Sequence, residues 1–217
     1  MVDQVTLLTN RLLLRPWCEA DRKHFAMVNA DPIVMEHFPG TLTQMESDAM
    51  VDRIQSGFAE RGWGLWAVEL LARHRGMKPE DETNHPVSDA AQRLSPRPGF
   101  IGFVGLAIPR YEAHFTPCVE VGWRLERRAW GFGFATEAAR ASLHFGFETL
   151  KLDQIVSTTA VSNIRSQRVM QRLGMNHNPC DNFDHPLLPD DHRLRRHVLF
   201  RLARSDFMSE LCSIDIE

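Results

Sequence analysis

The feature that most constrains the fold is a glycine-containing loop, residues 127–136, between a predicted strand and a predicted helix. Residues 119–125 alternate between apolar and other residues, which is typical of a half-buried strand. Gly131 and Gly133 allow the backbone to turn tightly and to approach a ligand without a Cβ in the way. The free N–H groups of the following helical turn favour an anion, and a pyrophosphate would suit such a site.

Three kinds of phosphate-binding loop can be compared with this segment. A Walker A loop requires Gly-Lys-Ser/Thr, which residues 134–136 do not supply. A Rossmann fingerprint requires GxGxxG, and its third glycine position falls on Thr136. The pattern R-x-x-G-x-G fits, with Arg128, Gly131 and Gly133. Because the motif is short, a glycine turn that only lets the helix pack stays open as an alternative at this point.

The predicted elements follow the order strand, two helices, several consecutive strands, helix, strand, helix, strand. The predicted strands are 10–15, 64–71, 100–108, 119–125, 154–159 and 197–203, and the predicted helices are 20–29, 43–61, 134–150 and 162–173. Thr43 and Glu46 predict a capping box, and Ser162 is predicted to cap the last helix. Gly62 and Gly174 are placed to end helices. This order predicts an α/β or α+β fold with a mixed sheet.

The domain organisation follows from the length of 217 residues, which fits one domain. Residues 73–98 combine charge, four prolines and little hydrophobicity. We predict a flexible hairpin insertion there and not a domain boundary, so that 1–217 form a single domain.

Composition excludes several classes of function. A net charge of −3 and a pI near 6.4 argue against a general nucleic-acid binder. There is no apolar run of transmembrane length and no signal-peptide pattern, so we expect no membrane association. Four separated cysteines without a CxxC pair are typical of a reducing cytoplasm. His185 and His192 lie near aspartates, but without an HExxH or Cys/His pattern we expect no metal.

Several motifs, taken in order, resemble the GNAT superfamily of acyl-CoA-dependent N-acetyltransferases, and within it the branch of ribosomal-protein N-terminal acetyltransferases. The motifs are Thr9 to Arg15, Glu120 to Trp123, Trp130 to Ala138, Asn163 to Ser166, Leu173 to Met175, and the final strand before Arg204. The resemblance covers about residues 9–204 without the insertion. It implies a mixed, mostly antiparallel sheet of about six to seven strands, splayed in the middle and flanked by about four helices.

The resemblance implies acetyl-CoA as cosubstrate, no metal, and a set of binding residues. Trp123 and Leu125 would contact the pantetheine arm, and Asn163 would reach its amides. Phosphate would be bound by Arg128 and by the amides of Gly131, Phe132, Gly133, Phe134, Ala135 and Thr136.

The chemistry implied by the resemblance is direct attack of an amine on the thioester, with both substrates bound and no covalent enzyme intermediate. The amine must lose a proton, and we predict Glu120 as the base, acting directly or through water. A solvent-facing residue in an alternating strand is the alternative for Glu120. A backbone N–H beside a bulge in strand 119–125 is predicted to stabilise the oxyanion.

Protonation of the leaving thiolate departs from the commonest family pattern. Many members have a tyrosine seven residues after the asparagine, where this chain has Met170, and its only tyrosine is Tyr111. Ser166 occupies the position used in the ribosomal-protein branch, so we predict that it donates the proton. A helix-capping hydroxyl and protonation by solvent stay open as alternatives.

The sequence therefore predicts a cytoplasmic N-acetyltransferase whose acceptor is a small-molecule or peptide amine. A non-catalytic CoA-binding or sensory module is one alternative, and a nucleotide-cofactor oxidoreductase is another. Residues 31–45 and 176–196 are expected to select the acceptor. No nucleic-acid or membrane partner is expected, and a homodimer is left open.

Overall fold

A computed structural model describes residues 3–72 and 97–214, with side chains described as far as Ser209. Residues 73–96 of the predicted insertion lie outside this part of the chain.

The described residues form one mixed sheet of nine strands in the order β1-β2-β3-β4-β5-β6-β9-β7, with β8 paired to β9. The strands are β1 (Leu7–Leu8), β2 (Leu12–Arg15), β3 (Leu65–Leu70), β4 (Gly99–Ala107), β5 (Glu120–Leu125), β6 (Gln154–Ala160), β7 (Asn176–His177), β8 (Phe183–Asp184) and β9 (Arg196–Ala203). Every pair is antiparallel except β5–β6. The mixed, mostly antiparallel fold is confirmed. The sheet has nine strands and not six or seven, because three two-residue strands escape detection by periodicity.

Five α-helices flank the sheet in the described chain. They are α1 (Glu19–Ala30), α2 (Gln44–Arg61), α3 (Phe134–His144), α4 (Ile164–Arg172) and α5 (Arg204–Ile214), with a π-helical turn at Phe145–Thr149 extending α3. The capping box is confirmed, since Thr43 N donates to Glu46 Oε2 (2.8 Å) and Glu46 N donates to Thr43 Oγ1 (3.3 Å). The predicted cap Ser162 is wrong. Asn163 caps α4 instead, because its amide oxygen reaches Ser166 N at 3.2 Å.

The main hydrophobic core lies between the sheet and α1, α2 and α3. Its largest buried side chains include Phe25 of α1, Phe58 of α2, Trp66 of β3 and Phe134 of α3, none more than 1% exposed. The Trp66 ring contacts Phe58 edge-on at 5.8 Å between centroids. Buried aromatic contacts of this kind hold the helices in place on the sheet.

The sheet opens between β5 and β6. These strands share a single register pair, Glu120 with Val156, and a hydrogen bond from Ser157 Oγ to Val121 O (2.9 Å). Beyond this point, among the described strands, β5 pairs only with β4, and β6 only with β9. The predicted splay is thus confirmed. The predicted bulge in strand 119–125 is wrong, because the β4–β5 register is uninterrupted and the shift occurs at Val68/Glu69 of β3.

Candidate active site

A cleft of about 710 Å³ lies at the gap between β5 and β6. Ten of the twelve residues predicted for the site line it: Glu120, Trp123, Leu125, Gly131, Gly133, Phe134, Ala135, Thr136, Asn163 and Ser166. The other two, Arg128 and Phe132, do not. The side chain of Arg128 is exposed, and that of Phe132 is buried in the core, stacked on Phe134 at 5.7 Å.

The glycine loop has a backbone that requires glycine at two positions. Gly131 has φ 81° and Gly133 has φ 74°, both in the left-handed region that other L-residues avoid. Gly133 is the N-cap of α3, and its carbonyl accepts a hydrogen bond from Glu137 N (2.9 Å). Trp130 Nε1 donates to Leu125 O (2.9 Å), which holds the start of the loop against β5. The loop therefore directs the first helical turn of α3 into the cleft.

Glu137 fixes that helical turn to the N-terminal part of the sheet. Its Oε1 accepts hydrogen bonds from Thr9 Oγ1 (2.6 Å) and Arg11 N (3.0 Å), and its Oε2 pairs with Arg11 Nε. The Arg11 guanidinium also lies 4.8 Å from the centroid of the Phe134 ring. This network gives a physical reason for the separated motifs at residues 9–15 and 130–138, because each holds the other in position.

Positive charge beside the loop comes from α4. Arg165, Arg168 and Arg172 all line the cleft, at spacings that place them on neighbouring turns of one helix. Arg165 is paired with Glu36 (2.7 Å) and lies 4.6 Å from the Trp130 ring. None of these arginines was predicted as a site residue, although all three follow Asn163 within ten residues on the same predicted helix. The glycine loop and α4 together are called the loop side of the cleft.

Glu120, the first residue of β5, lies in the cleft and forms the register pair between β5 and β6. Its Oε1 accepts hydrogen bonds from Thr158 Oγ1 (2.9 Å) and Thr158 N (3.3 Å). Burial raises the pKa of Glu120 to about 7, against the opposing effect of these hydrogen bonds. The carboxyl group is thus poised to exchange a proton near neutral pH.

Helix α4 and its N-cap contain three residues that the sequence comparison with the family concerned: Asn163, Ser166 and Met170. Asn163 Nδ2 donates to Thr159 Oγ1 (2.9 Å), while its Oδ1 caps the helix. Ser166 reaches the cleft, and its hydroxyl makes no hydrogen bond to any described residue. Met170 is 1% exposed and fills the position where many family members have tyrosine.

A second set of cleft residues comes from segments 33–39 and 185–197, together with Tyr111 and Arg124. This set is called the segment side. The Tyr111 hydroxyl is buried and has no hydrogen-bond partner among the described residues. Burial raises the pKa of Tyr111, and the negative charge of Glu120 adds to the effect. Burial lowers the pKa of His185 to about 4, so this imidazole is neutral at pH 7.

Arg124 is the functional candidate that the sequence analysis missed. It lies on the same face of β5 as Glu120, and its side chain is buried in the cleft wall, where the residue is 8% exposed. Its Nη1 donates to Asn29 Oδ1 of α1 (2.6 Å), and its guanidinium lies 4.0 Å from the centroid of the Phe38 ring. The sequence feature that marks this residue as unusual is a charged side chain inside a predicted half-buried strand.

The described residues contain neither a metal-binding cluster nor a membrane-crossing helix. Residues 3–72 and 97–214 contain no group of three or more His, Cys, Asp or Glu side chains that could hold a metal ion. Within the same ranges, no helix combines the length and apolarity needed to cross a membrane.

Comparison with known proteins identifies the family. Residues 11–176 match the acetyltransferase (GNAT) domain model. The chain is 28% identical over 176 residues to the protein YkkB of Bacillus subtilis, covering 79% of this chain and 85% of that protein. It is 34% identical over 180 residues to the FsC-acetyl coenzyme A-N(2)-transacetylase of Aspergillus fumigatus, covering 80% and 66%.

A solved structure agrees with the fold. The GNAT-family acetyltransferase of Bacillus anthracis superposes with a TM-score of 0.67 at 20% identity, covering 93% of this chain and 99% of that one. The matched family model spans the glycine loop, β5, β6 and α4, which are the elements that form the cleft. The chain therefore belongs to the GNAT acetyltransferase family and is an acyltransferase.

Proposed function

We propose that the protein transfers an acetyl group from acetyl-CoA to a primary amine by direct attack, with both substrates bound in the cleft. The observation that carries this proposal is a half-buried carboxyl group with a raised pKa, Glu120, in the same cleft as a glycine loop of left-handed backbone. An anion site and a titratable group on one cleft are what a CoA-dependent acyl transfer requires.

The loop side suits the phosphates of coenzyme A. The first-turn N–H groups of α3 have no partner within the helix, and the helix dipole favours negative charge there. The amides proposed to bind the pyrophosphate belong to Gly131, Phe132, Gly133, Phe134, Ala135 and Thr136. Arg168 and Arg172 add positive charge from α4, and Arg128 is proposed to add it from the loop's exposed surface.

The pantetheine arm is proposed to lie along the unpaired edge of β5. Val119 and Val121 direct their carbonyl oxygens at β6, toward Val156 N (3.0 Å) and Ser157 Oγ (2.9 Å). Because orientation alternates along a strand, Trp123 is the next residue with its backbone facing the gap. Leu125 offers apolar contact, and Asn163 Nδ2 retains one N–H beyond its bond to Thr159.

The reaction needs a base, an oxyanion donor and an acid from this chain. Acetyl-CoA supplies the activated acyl group. Glu120 removes a proton from the ammonium group, so that the amine nitrogen can form a bond to the acyl carbon. Trp123 N–H takes the place of the predicted bulge as hydrogen-bond donor to the acyl oxygen. As the carbon–sulfur bond breaks, Ser166 gives its proton to the sulfur, and the nitrogen of the new amide loses its remaining proton through water, which returns a proton to Ser166.

The test is thiol release from acetyl-CoA with amines of four classes: peptides with free N-termini, polyamines, aminoglycosides and amino metabolites. Mass spectrometry identifies the acetylated product. With the best acceptor, Glu120→Gln is expected to lower kcat by about 10² to 10⁴-fold, the usual contribution of a general base. Acetyl-CoA affinity, measured by calorimetry, is expected to stay unchanged.

Glu126→Gln is the matched control, because Glu126 follows β5 but lies outside the cleft and bonds to His24 (2.9 Å). Its kcat is expected to stay within about twofold of wild type, as for most substitutions away from a site. Tight CoA binding without turnover of any amine would contradict the proposed transfer and favour the CoA-binding module.

Three finer proposals accompany this one. The position of Ser166 supports the ribosomal-protein branch of the family. A single sheet running from β1 to β9 supports one domain over 1–217, with an insertion at 73–98. The free thiols of Cys18, Cys118 and Cys180 support a cytoplasmic protein.

A further inference from the structure

Arg124 is held rigidly at the segment side by a buried polar chain. Its Nη1 donates to Asn29 Oδ1 (2.6 Å), and Asn29 Nδ2 donates to Ser47 Oγ (2.9 Å). Asn29 and Ser47 are both 0% exposed. Met50 Sδ lies 3.8 Å from the same Nη1. The guanidinium therefore has one fixed position, set by α1 and α2.

The charge of Arg124 is not neutralised by the protein. Among the described residues no carboxylate lies within ion-pair distance of it. Within the described chain its Nε is buried without a hydrogen-bond partner, and its Nη2 makes no hydrogen bond there. Burial lowers the pKa of Arg124 to about 10. The Phe38 ring compensates only in part, because a cation–π contact is weaker than an ion pair in a desolvated site.

The space beside Arg124 continues to Glu120. Both residues lie on the same face of β5, with Gly122 between them, and all three line the cleft. At about 3.3 Å per residue, their Cα atoms are about 13 Å apart. A Cβ placed on Gly122 would meet no heavy atom within 4 Å. The cleft thus has room for a small molecule between a carboxylate and an unpaired guanidinium.

We propose that the acceptor is an amino acid type of amine, whose amino group lies at Glu120 and whose carboxylate binds Arg124. A carboxylate matches the guanidinium because its two oxygens accept two parallel N–H bonds, and Nε and Nη2 are the two donors without partners. The inference rests on the proposed function and adds the class of acceptor.

The first test compares acids with matched amides in the wild-type protein. The probes are β-alanine, 4-aminobutyrate and 5-aminopentanoate, each against its carboxamide and the alkylamine of equal length, together with L-α-amino acids and their amides. In the ω-amino acids, methylene groups separate the amine from the carboxyl group. Replacing the acid by its amide therefore changes the basicity of the amine little. The best acid is expected to exceed its amide in kcat/KM by roughly 10- to 100-fold, as for a lost charged hydrogen bond.

The second test removes the cation. Arg124→Met keeps an unbranched chain, and the acid-to-amide ratio is expected to fall to about one, with amide turnover retained. Arg124→Lys keeps the positive charge but loses the planar guanidinium with its paired N–H donors. It is expected to retain part of the preference for the acid over the amide. Arg165→Met is the matched variant, because Arg165 also lines the cleft and stacks on an aromatic ring but is already paired with Glu36. It is expected to leave the ratio unchanged.

The outcomes separate this inference from the proposed function. Turnover of neutral amines with an acid-to-amide ratio below about threefold would overturn the inference alone. A ratio that survives Arg124→Met would also overturn it, and if that variant does not fold, the wild-type ratio and Arg124→Lys decide. Preference for 3-aminopropylphosphonate over the carboxylates would overturn the carboxylate assignment. No turnover with any amine would overturn the proposed function and the inference together.

Discussion

The two sides of the cleft differ in the chemical groups that form them. The glycine loop of the loop side is made largely of backbone, with Gly131 and Gly133 in left-handed conformations and the N-terminus of α3 directed at the cleft. The segment side is made of side chains from distant parts of the sequence, among them Tyr111, Arg124 and His185. The first arrangement requires glycine at two positions in one short stretch. The second requires α1, α2 and β9 to be in place before any of its groups meet.

This difference separates two functions. A site built of amides binds an anion without depending on most side chains, which suits a cosubstrate shared by a whole family. A site built of buried side chains changes its ligand when one residue changes, which suits the choice of acceptor. Glu120 lies between them, hydrogen-bonded to Thr158 of β6. The comparison predicts that variants of the two sides will have separable kinetic effects.

The largest effect expected on cosubstrate binding is on the loop side. Gly133→Ala and Gly62→Ala both force alanine into a left-handed backbone, with φ 74° and 78°, and each is expected to cost about 1–2 kcal/mol of stability. Only Gly133→Ala is expected to raise the KM for acetyl-CoA, by roughly 10- to 100-fold, because it disturbs hydrogen bonds to a charged group. Equal KM values in the two variants would show that the loop does not bind the phosphates.

The next effect concerns Glu120 and pH. A base whose pKa is about 7 is half protonated at that pH, so kcat/KM is expected to fall about tenfold for each pH unit below it. Glu120→Gln is expected to lose this acid limb. A wild-type profile that follows only the ionisation of the acceptor amine would contradict the assignment of Glu120 as the base.

The same shift in pKa predicts an effect on stability. The pKa of Glu120 is raised from 4.5 to about 7 in the folded protein, so its stabilising contribution is complete below 4.5 and is lost as pH rises through 7. At 1.36 kcal/mol per pKa unit this amounts to about 3 kcal/mol. Glu120→Gln is therefore expected to be more stable than wild type at pH 8, relative to the same comparison at pH 4, in denaturant unfolding.

The sequence predicted the loop side far better than the segment side, and the reason is physical. A left-handed turn and a helix N-terminus are local, so residues 127–136 contain most of the information. The source of positive charge was less predictable, because Arg128 points to solvent while Arg168 and Arg172 of α4 line the cleft. The charge of Arg124 within a half-buried strand marks it as unusual, but its role could not be predicted, because strand alternation gives the face on which it lies and not what packs there. Its burial depends on Asn29 and Phe38, some 90 residues earlier.

The smallest effect decides which side supplies the proton to the leaving thiolate. Ser166→Ala is expected to lower kcat by about tenfold or less, because a thiol with a pKa near 8.5 is a good leaving group even without an acid. Tyr111→Phe, on the segment side, is expected to stay within about twofold, because a phenol whose pKa is raised holds its proton too tightly to donate it readily. Both residues line the cleft. They differ in the side of the cleft on which they lie and in the acidity of their hydroxyl groups. Stopped-flow measurement of thiol release with one acceptor compares them directly. A larger loss in Tyr111→Phe would show that the proton donor lies on the segment side. The two sides of the cleft would then no longer correspond to cosubstrate chemistry on one side and acceptor binding on the other.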